Sequence, residues 1–366
     1  MQPISFARGV PAAECLPVEE LADCARAALE ADGASILNYG SPAGYAPLRE
    51  WLAARHRVDP ARIVVTNGSL QGFLFLATRL AARGPVLVEA PTYDRPLKLL
   101  AALGAEMFAL PVDDDGLDVD SVELLLRQGV RPAFLYTIPT FQNPTGRTLS
   151  KARRRRLVRL ARRYDLLIVE DDPYGLVRFE GKVPPTLFEL DGGANVAFSS
   201  SFSKTVAPGL RVGYLVLPNG LAGEIEAEAT STYITPALLS QATAFEYLRR
   251  GRLEANLAHT RRLLRERRDA MLTALGRELP HARWSQPQGG YFLWLDLPDG
   301  TRAADFSRRA AAAGVTFVPG SDFFVPGGGG ERALRLAYSF ATPDEIDEGI
   351  VRLAAAAGSD GLRQAA

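Results

Sequence analysis

The stretch KARRRRLVRLARRYDLLIVEDDPYG, residues 151–175, contains the arrangement that decides the fold. A segment of helical length, Lys151 to Tyr164, leads into the short apolar run Leu166 to Val169. Short aliphatic runs of this kind are typical of strands buried in a sheet. Three acidic residues follow, and Pro173 then ends the strand. Because α/β sheets bind ligands at the carboxyl ends of their strands, the acidic turn is a candidate ligand-binding position.

Runs of strand length recur on both sides of this stretch, and helical segments such as Ser69 to Ala82 lie between several of them. This alternation predicts an α/β fold with a mainly parallel sheet and helices on both faces. The further strand-like runs are rich in β-branched or aromatic residues: Ile63 to Thr66, Val86 to Glu89, Phe134 to Ile138, Val196 to Ser199 and Tyr214 to Leu217.

The character of the sequence changes near Pro236, and we predict a second, smaller α+β domain beyond it. We therefore predict a large domain at 39–235 and a small C-terminal domain at 236–366, with an N-terminal arm at 1–38 that forms part of the small domain. The segments that indicate the small domain are a helical stretch from Pro236 to Leu279, the strand-like runs Tyr291 to Asp296 and Leu334 to Tyr338, and helices at Ala303 to Ala313 and from Pro343.

The overall charge of the chain is balanced, with 42 basic and 42 acidic residues among 366. This balance gives no reason to expect nucleic acid, an anionic membrane surface or a polyacidic partner. The run Arg153 to Arg156 has two interpretations, a nucleic-acid patch or a solvated helix face. We favour the solvated face, because no aromatic residues are interleaved with the arginines.

Targeting and metal-binding signals are missing from the sequence. The N-terminus has no charged stretch followed by an apolar core, and no apolar run approaches the ~18 residues of a membrane span. The two cysteines, Cys15 and Cys24, have no CxxC or histidine-rich neighbourhood, so they indicate neither a disulfide framework nor a zinc site. We expect a soluble, cytoplasmic protein with a small-molecule ligand.

A lysine suited to covalent chemistry, Lys204, lies just past the run Val196 to Ser199. Hydroxyl residues precede Lys204 in the sequence SSSFSK, and Arg211 follows seven residues later. Hydroxyls and a guanidinium suit a phosphate group, and a lysine amine that is desolvated beside other cations is able to form an imine. Taken alone, the motif is too short to distinguish such a site from an exposed turn.

Two further turns follow strand-like runs. Glu170, Asp171 and Asp172 come after the run that ends at Val169, and the turn PTFQNPTG, residues 139–146, fixes Asn143 after another strand. Taken singly, the first is as typical of an acidic surface loop as of a ligand site, and the second is only a turn.

Together, these segments resemble one known arrangement. The chain resembles the class I/II aminotransferases, which are fold-type I pyridoxal-phosphate enzymes, and most closely the branch that contains 2-aminoadipate and kynurenine aminotransferases. The resemblance extends from Ile4 to the final helix. The motifs that carry it, each with its first residue, are YGSPAGYAPLREWLA (Tyr39), NGSLQGF (Asn67), EAPTYDR (Glu89), PTFQNPTG (Pro139), VEDDPYG (Val169), SFSKTVAPGLRVGY (Ser201), PQGGYFLWL (Pro287) and LRLAYS (Leu334).

The resemblance implies a large cofactor-binding domain and assigns the residues around the pyridoxal 5′-phosphate ring. Lys204 carries the cofactor covalently and moves the proton of the substrate α-carbon. Asp171 pairs with the pyridinium nitrogen, with Asp172 as the competing candidate. Tyr174 and Asn143 lie near the ring hydroxyl, and Tyr93 stacks on the ring.

The resemblance also implies a phosphate site and a dimer. Ser69, at the start of a helix, joins Ser201, Ser203 and Arg211 around the phosphate, where a helix N-terminus favours an anion. Tyr39 is implied to reach the phosphate of the other subunit, which makes the enzyme a homodimer with shared active sites.

Substrate contacts are implied for the N-terminal segment and for a strand near the C-terminus. Arg335 binds the substrate carboxylate, with a surface arginine on an edge strand as the alternative. Arg8 and Gly9 lie in a segment that closes the pocket, and Arg8 either binds an acidic side chain or faces solvent. Leu70 replaces a family glutamine beside the cofactor, so one polar contact is expected to be missing.

The implied function is transfer of the amino group of an L-amino acid to a 2-oxo acid through pyridoxamine phosphate. Another pyridoxal-phosphate enzyme on the same scaffold, such as a decarboxylase, a lyase or an oxygen-using enzyme, is the alternative, since a fold does not determine the reaction. Arg335 favours transamination. A non-catalytic domain of a transcriptional regulator is disfavoured, because the chain begins almost at the aminotransferase segment.

Overall fold

The structure is a computed structural model that describes residues 2–297 and 300–357. Residue 1, where the predicted N-terminal arm begins, and residues 358–366, where the predicted small domain ends, lie outside the described residues. The helices in chain order are α1 Val18–Ile36, α2 Ala46–His56, α3 Ser69–Leu80, α4 Asp94–Ala102, α5 Val119–Arg127, α6 Lys151–Tyr164, α7 Leu187–Asp191, α8 Leu221–Tyr233, α9 Leu238–Arg249, α10 Arg252–Glu278, α11 Ala303–Ala312 and α12 Pro343–Ala357.

The strands alternate with these helices through the first two thirds of the chain. In chain order they are β1 Ile4–Ser5, β2 Ile63–Thr66, β3 Val86–Ala90, β4 Met107–Asp113, β5 Gly116–Leu117, β6 Phe134–Thr137, β7 Ile168–Asp171, β8 Val196–Ser201, β9 Gly213–Val216, β10 Arg283–Trp284, β11 Phe292–Asp296, β12 Val315–Thr316, β13 Val318–Pro319 and β14 Ala333–Ala337.

The large sheet has the order β2-β9-β8-β7-β6-β3-β4-β5. Its five central strands, from β8 to β4, pair in parallel, whereas β2, β9 and β5 pair antiparallel with their neighbours. The predicted α/β fold with a mainly parallel sheet is therefore confirmed.

Alternate residues of the strands point to opposite sides of this sheet, and both sets are apolar. Helices therefore cover both faces. Leu87 and Ile168 belong to one apolar core, which also contains Leu157 of α6. Val88 and Val169, their neighbours along the same strands, belong to a second core with α3 and α8. The strands are buried on both faces, as their continuous apolar runs predicted.

A smaller antiparallel sheet has the order β10-β11-β14-β13, and the chain N-terminus joins this part of the molecule. Ile4 and Ser5 pair in parallel with Val315 and Thr316. The second, smaller α+β part is thus confirmed, while the boundaries at 38 and 235 stay a prediction. Among the described residues, no helix is long and apolar enough to cross a membrane.

The helical stretch from Pro236 to Leu279 is two helices, because Gly251 adopts a φ of 68° between α9 and α10. A left-handed residue ends a helix, and glycine adopts that conformation without steric cost. The strand β4 was not predicted: Pro111 lies inside it, and a proline within an apolar run argues against a strand.

The arginine run Arg153 to Arg156 is not a uniformly solvated helix face. Arg154 is fully buried, because it falls on the same helical stripe as Leu157, Val158 and Ala161. Its neighbour Arg153 bonds to Asp113, in keeping with the surface position expected for the run.

Candidate active site

A cavity of about 330 Å³ lies where strands β7 and β8 end, and it brings together most of the predicted site residues. A larger groove of about 930 Å³ contains none of them. The predicted residues that line the smaller cavity are Gly9, Ser69, Leu70, Tyr93, Asn143, Asp171, Tyr174, Ser201, Ser203, Lys204, Arg211 and Arg335.

Lys204 lies in a short 3-10 turn directly after β8, and its amine is inside the cavity. The Nζ atom donates to the carbonyl oxygen of Gly9 at 2.6 Å and lies 5.4 Å from the ring centroid of Tyr291. Burial, together with the positive charges of Arg335 and Arg211, lowers the pKa of Lys204 to about 8. A substantial fraction of the amine is therefore neutral, and nucleophilic, near pH 8.

Asp171 is the last residue of β7, and one of its carboxylate oxygens is available to a ligand. Oδ2 accepts a hydrogen bond from the Tyr136 hydroxyl at 2.8 Å. Oδ1 is buried and makes no well-formed hydrogen bond to a described residue, although the Ser199 hydroxyl is close enough to lower the pKa. Burial nevertheless raises the pKa of Asp171 to about 7. A protonated nitrogen placed against Oδ1 would restore the charged form.

The two acidic neighbours of Asp171 have structural partners elsewhere. Asp172 accepts a hydrogen bond from the backbone N–H of Gly175 at 2.7 Å, and Glu170 accepts from the N–H groups of Leu187 and Phe188. Neither of them lines the cavity. The alternation of side chains along β7 therefore brings Asp171, rather than Asp172, into the site.

Arg335 is a buried cation in the middle of the small sheet. Its strand β14 lies between β11 and β13, so it is not the edge strand of the alternative interpretation. Nη1 donates to the Asn143 side-chain oxygen at 3.0 Å and Nη2 to the Ala7 carbonyl at 2.8 Å, while Nε has no partner among the described residues. Burial lowers the pKa of Arg335 to about 10. The site favours an added carboxylate.

An anion-binding corner lies at the N-terminus of α3. Arg211 approaches Gly68 so closely that a Cβ on the glycine would collide with the guanidinium. Arg211 also donates to the Ser203 hydroxyl at 3.5 Å, and the hydroxyls of Ser201 and Ser203 are 2.8 Å apart. With Ser69 at the first helical position, these groups form a phosphate-sized cluster of donors.

The sequence profile of the family "Aminotransferase class I and II" matches residues 4–353. The chain belongs to this family. It is an aminotransferase, an enzyme that transfers amino groups, and the family implies pyridoxal phosphate as its cofactor.

The aminotransferase is similar to named relatives over 80% or more of its length. It is 40% identical to a 2-aminoadipate transaminase of Thermus thermophilus, over 96% of this chain and 89% of that protein. It is 31% identical to the mouse mitochondrial kynurenine/alpha-aminoadipate aminotransferase, over 80% and 72%. A solved alpha-aminoadipate aminotransferase of Thermus thermophilus, in complex with N-(5′-phosphopyridoxyl)-L-leucine, is 37% identical with a TM-score of 0.92, over 97% and 92%.

Two predicted site residues of the aminotransferase do not line the cavity. Tyr39 is 76% exposed at the surface. The Arg8 guanidinium is exposed and stacks 4.6 Å from the ring centroid of Phe340, while its neighbour Gly9 lines the cavity. A Cβ on Gly9 would collide with the end of the Phe292 ring, so a larger residue at this position requires Phe292 or the segment to move. The roles of Tyr39 and Arg8 stay predictions.

Other residues of the aminotransferase site were missed by sequence reasoning. Tyr136 had a detectable signal, because its hydroxyl-bearing ring is in an apolar strand, one strand away from Asp171. Arg95 and Asp94 lie in the EAPTYDR motif and line the cavity. Phe292, which lies under the Arg335 guanidinium at 4.2 Å, gave no chemical signal in the sequence.

Proposed function

We propose that the cavity binds pyridoxal 5′-phosphate through Lys204 and that the enzyme moves the amino group of an L-amino acid to a 2-oxo acid. One observation carries this proposal. Three groups with unused bonding capacity converge on one cavity: the Lys204 amine, the Asp171 Oδ1 atom and the Arg335 Nε atom. An amine, a hydrogen-bond acceptor for a ring nitrogen and a cation for a carboxylate are the groups that such a reaction requires.

The residues present fit the cofactor. Ser69, Ser201, Ser203 and Arg211 would hold its phosphate, and Asp171 would hold its ring nitrogen. The remaining predicted cofactor residues, Tyr93, Asn143, Tyr174 and Leu70, line the same cavity. Among them, Leu70 offers only apolar contact. When bound, pyridoxal phosphate supplies an aldehyde that an amine attacks and a ring that accepts electrons from the substrate α-carbon.

The chain's own residues orient the substrate and move its proton. Arg335 binds the α-carboxylate through its guanidinium, which fixes the position of the α-carbon. The Lys204 amine, with its lowered pKa, takes the α-proton as a base and returns it as an acid. Arg335 is buried and Lys204 is partly buried, so little water reaches the groups that make this exchange.

The names of the relatives support a substrate class. A 2-aminoadipate transaminase is 40% identical, and a kynurenine/alpha-aminoadipate aminotransferase is 31% identical. We propose an L-2-amino acid with a long side chain as the amino donor, 2-aminoadipate being the first to test. The distal carboxylate of such a donor would be matched by Arg95, an exposed cation that lines the cavity.

A homodimer is part of the proposal, and exposed apolar residues support it. Tyr39 and Leu37 are 76% and 69% exposed, and Ile234, close to Leu238 in the sequence, is 60% exposed. The two segments meet, because the backbone N–H of Gly40 donates to the Thr235 hydroxyl at 3.2 Å, and clustered exposed apolar side chains are typical of protein interfaces. We propose that this surface contacts a second copy and that Tyr39 reaches the partner's phosphate site. We also propose a cytoplasmic location, which the free cysteines Cys15 and Cys24 support.

Borohydride reduction of the enzyme with pyridoxal phosphate is expected to label Lys204, and peptide mass spectrometry locates the label. The rate at which apoprotein and cofactor combine is expected to rise about tenfold per pH unit up to about pH 8 and then level off, because only the neutral amine attacks. A label on Lys98, Lys151 or Lys182, or a rate that does not depend on pH between 6 and 9, would contradict the assignment.

Tyr39→Phe is expected to weaken cofactor affinity about tenfold, which is the usual contribution of one hydrogen bond to a charged group. Sedimentation of the wild-type enzyme and of this variant is expected to give about twice the chain mass of 39.6 kDa. Cofactor affinity is measured by fluorescence titration of the apoprotein. A monomeric wild-type enzyme, or a Tyr39→Phe variant that binds the cofactor as tightly as the wild type, would refute the shared site.

A further inference from the structure

The turn that carries Asn143 is a buried loop with little regular structure, and it needs partners for its backbone. We define the Asn143 loop as residues 139–149, between β6 and α6. Its residues 139–146 are all buried. Buried carbonyl groups without a hydrogen-bond partner destabilise a fold, so such loops depend on donors from elsewhere.

Arg154 of helix α6 supplies donors to both ends of the Asn143 loop. Its Nη2 donates to the Pro139 carbonyl at 2.5 Å and to the Thr140 hydroxyl at 2.8 Å. Its Nε donates to the Leu149 carbonyl at 2.9 Å. The backbone N–H of Leu149 also donates to the Pro139 carbonyl at 2.8 Å, so the two ends meet as in an Ω-loop. Arg154 therefore cross-links the base of the loop.

Glu170 supplies the counter-charge for this cross-link. Its carboxylate lies 3.8 Å from the Arg154 guanidinium, and both side chains are fully buried. Burial lowers the pKa of Arg154, and the charge of Glu170 opposes that shift. Glu170 immediately precedes Asp171 in β7, so the pair connects the base of the Asn143 loop to the strand end that carries the cavity carboxylate.

The middle of the Asn143 loop connects the base of the loop to the cavity. The Asn143 side-chain oxygen accepts from Arg335 at 3.0 Å. Its neighbour Gln142 donates to Glu89 at 3.0 Å and to the Pro91 carbonyl at 2.6 Å, which fixes the inner side of the loop. A displaced loop base would therefore move the partner that orients the Arg335 guanidinium.

We propose that Arg154 is a positioning residue that closes the Asn143 loop and thereby sets Asn143 and Arg335 for the substrate carboxylate. Arg154 does not touch the cavity, so it acts only through these residues. The inference rests on the proposed function, because it treats Arg335 as the carboxylate site. A planar guanidinium is required, since three acceptors at fixed positions match its fork and not a single ammonium group.

Arg154→Lys tests the proposal with an unreactive carboxylate, 4-methylpentanoate, as the probe. The Kd of the cofactor-loaded enzyme for this probe is expected to rise about tenfold, as is the KM for the amino donor, while kcat changes less than about threefold. A purely structural role would lower the melting temperature without changing the Kd. Binding is measured by calorimetry, well below the melting temperature of each variant.

Two further variants complete the experiment. Arg268→Lys is the matched control, because Arg268 is also a buried guanidinium and donates to the Pro287 carbonyl and to Glu180 at 2.6 and 2.9 Å, outside the Asn143 loop. It is expected to lower the melting temperature and to leave the probe Kd unchanged. Thr140→Val removes one bond of Arg154 and is expected to raise the Kd about threefold.

The outcomes separate the inference from the proposed function. An unchanged probe Kd in Arg154→Lys and Thr140→Val overturns the inference, and so does an equal rise in Arg268→Lys. If Arg154→Lys does not fold, the Kd of Thr140→Val decides. A wild-type enzyme that does not bind pyridoxal phosphate on Lys204 overturns the proposed function instead.

Discussion

Lys204→Ala is expected to lower the transamination rate about 10⁴-fold, the upper range for loss of a general acid-base group. The amine is the only described lysine amine inside the cavity, and its pKa of about 8 suits both attack on a carbonyl and transfer of a proton. The variant also loses the covalent attachment of the cofactor. Steady-state kinetics with an amino donor and a 2-oxo acid measure the loss.

Lys98→Ala is the control for this experiment. Lys98 is exposed and bonds at 2.8 Å to Asp94, which lines the cavity, so its amine is a suitable comparison for Lys204. We expect Lys98→Ala to keep its activity within about twofold. Added ethylamine is expected to restore part of the activity of Lys204→Ala, because a small amine is able to replace the missing base. Full activity in Lys204→Ala would contradict the assignment of Lys204 as the group that moves the proton.

The local elements of the fold could be predicted because their signals lie within short stretches of sequence. The bounds of α6, Lys151 to Tyr164, agree with the prediction, and β7 begins two residues after Leu166. The order of the strands could not be predicted, because it depends on pairing between distant segments. Thus β9 pairs antiparallel with both β2 and β8, although the runs that form them resemble the parallel strands.

The candidate site was predictable where the resemblance named a residue type, and less so where packing determines its environment. Lys204, Asp171 and Arg335 line one cavity as expected. The burial of Arg154 was not foreseen, since four consecutive arginines conceal the helical stripe on which one of them lies. The hydrogen bond that the Asp172 carboxylate accepts from Gly175 was also not foreseen, because the sequence does not show which way successive side chains point at the end of a strand.

Arg335→Gln is expected to lower kcat/KM for amino acids about 10³-fold. Loss of one partner from a buried, hydrogen-bonded charge pair costs about 4 kcal/mol, and each 1.4 kcal/mol is a factor of about ten. Glutamine preserves a donor for Asn143 but provides no charge for a substrate carboxylate. Arg335→Lys keeps the charge without the two-pronged geometry, so its loss is expected to be smaller, about 30-fold.

The control for the Arg335 variants is a different amino donor rather than a variant at another position. A primary amine without a carboxylate, such as pentylamine, does not use the guanidinium, so its low rate is expected to be the same in the wild type and in both variants. A loss confined to carboxylate-bearing donors identifies Arg335 as their binding site, because a distorted cavity would slow both kinds of donor. An equal loss for pentylamine and for 2-aminoadipate would instead assign Arg335 to holding Asn143 and Ala7 in place.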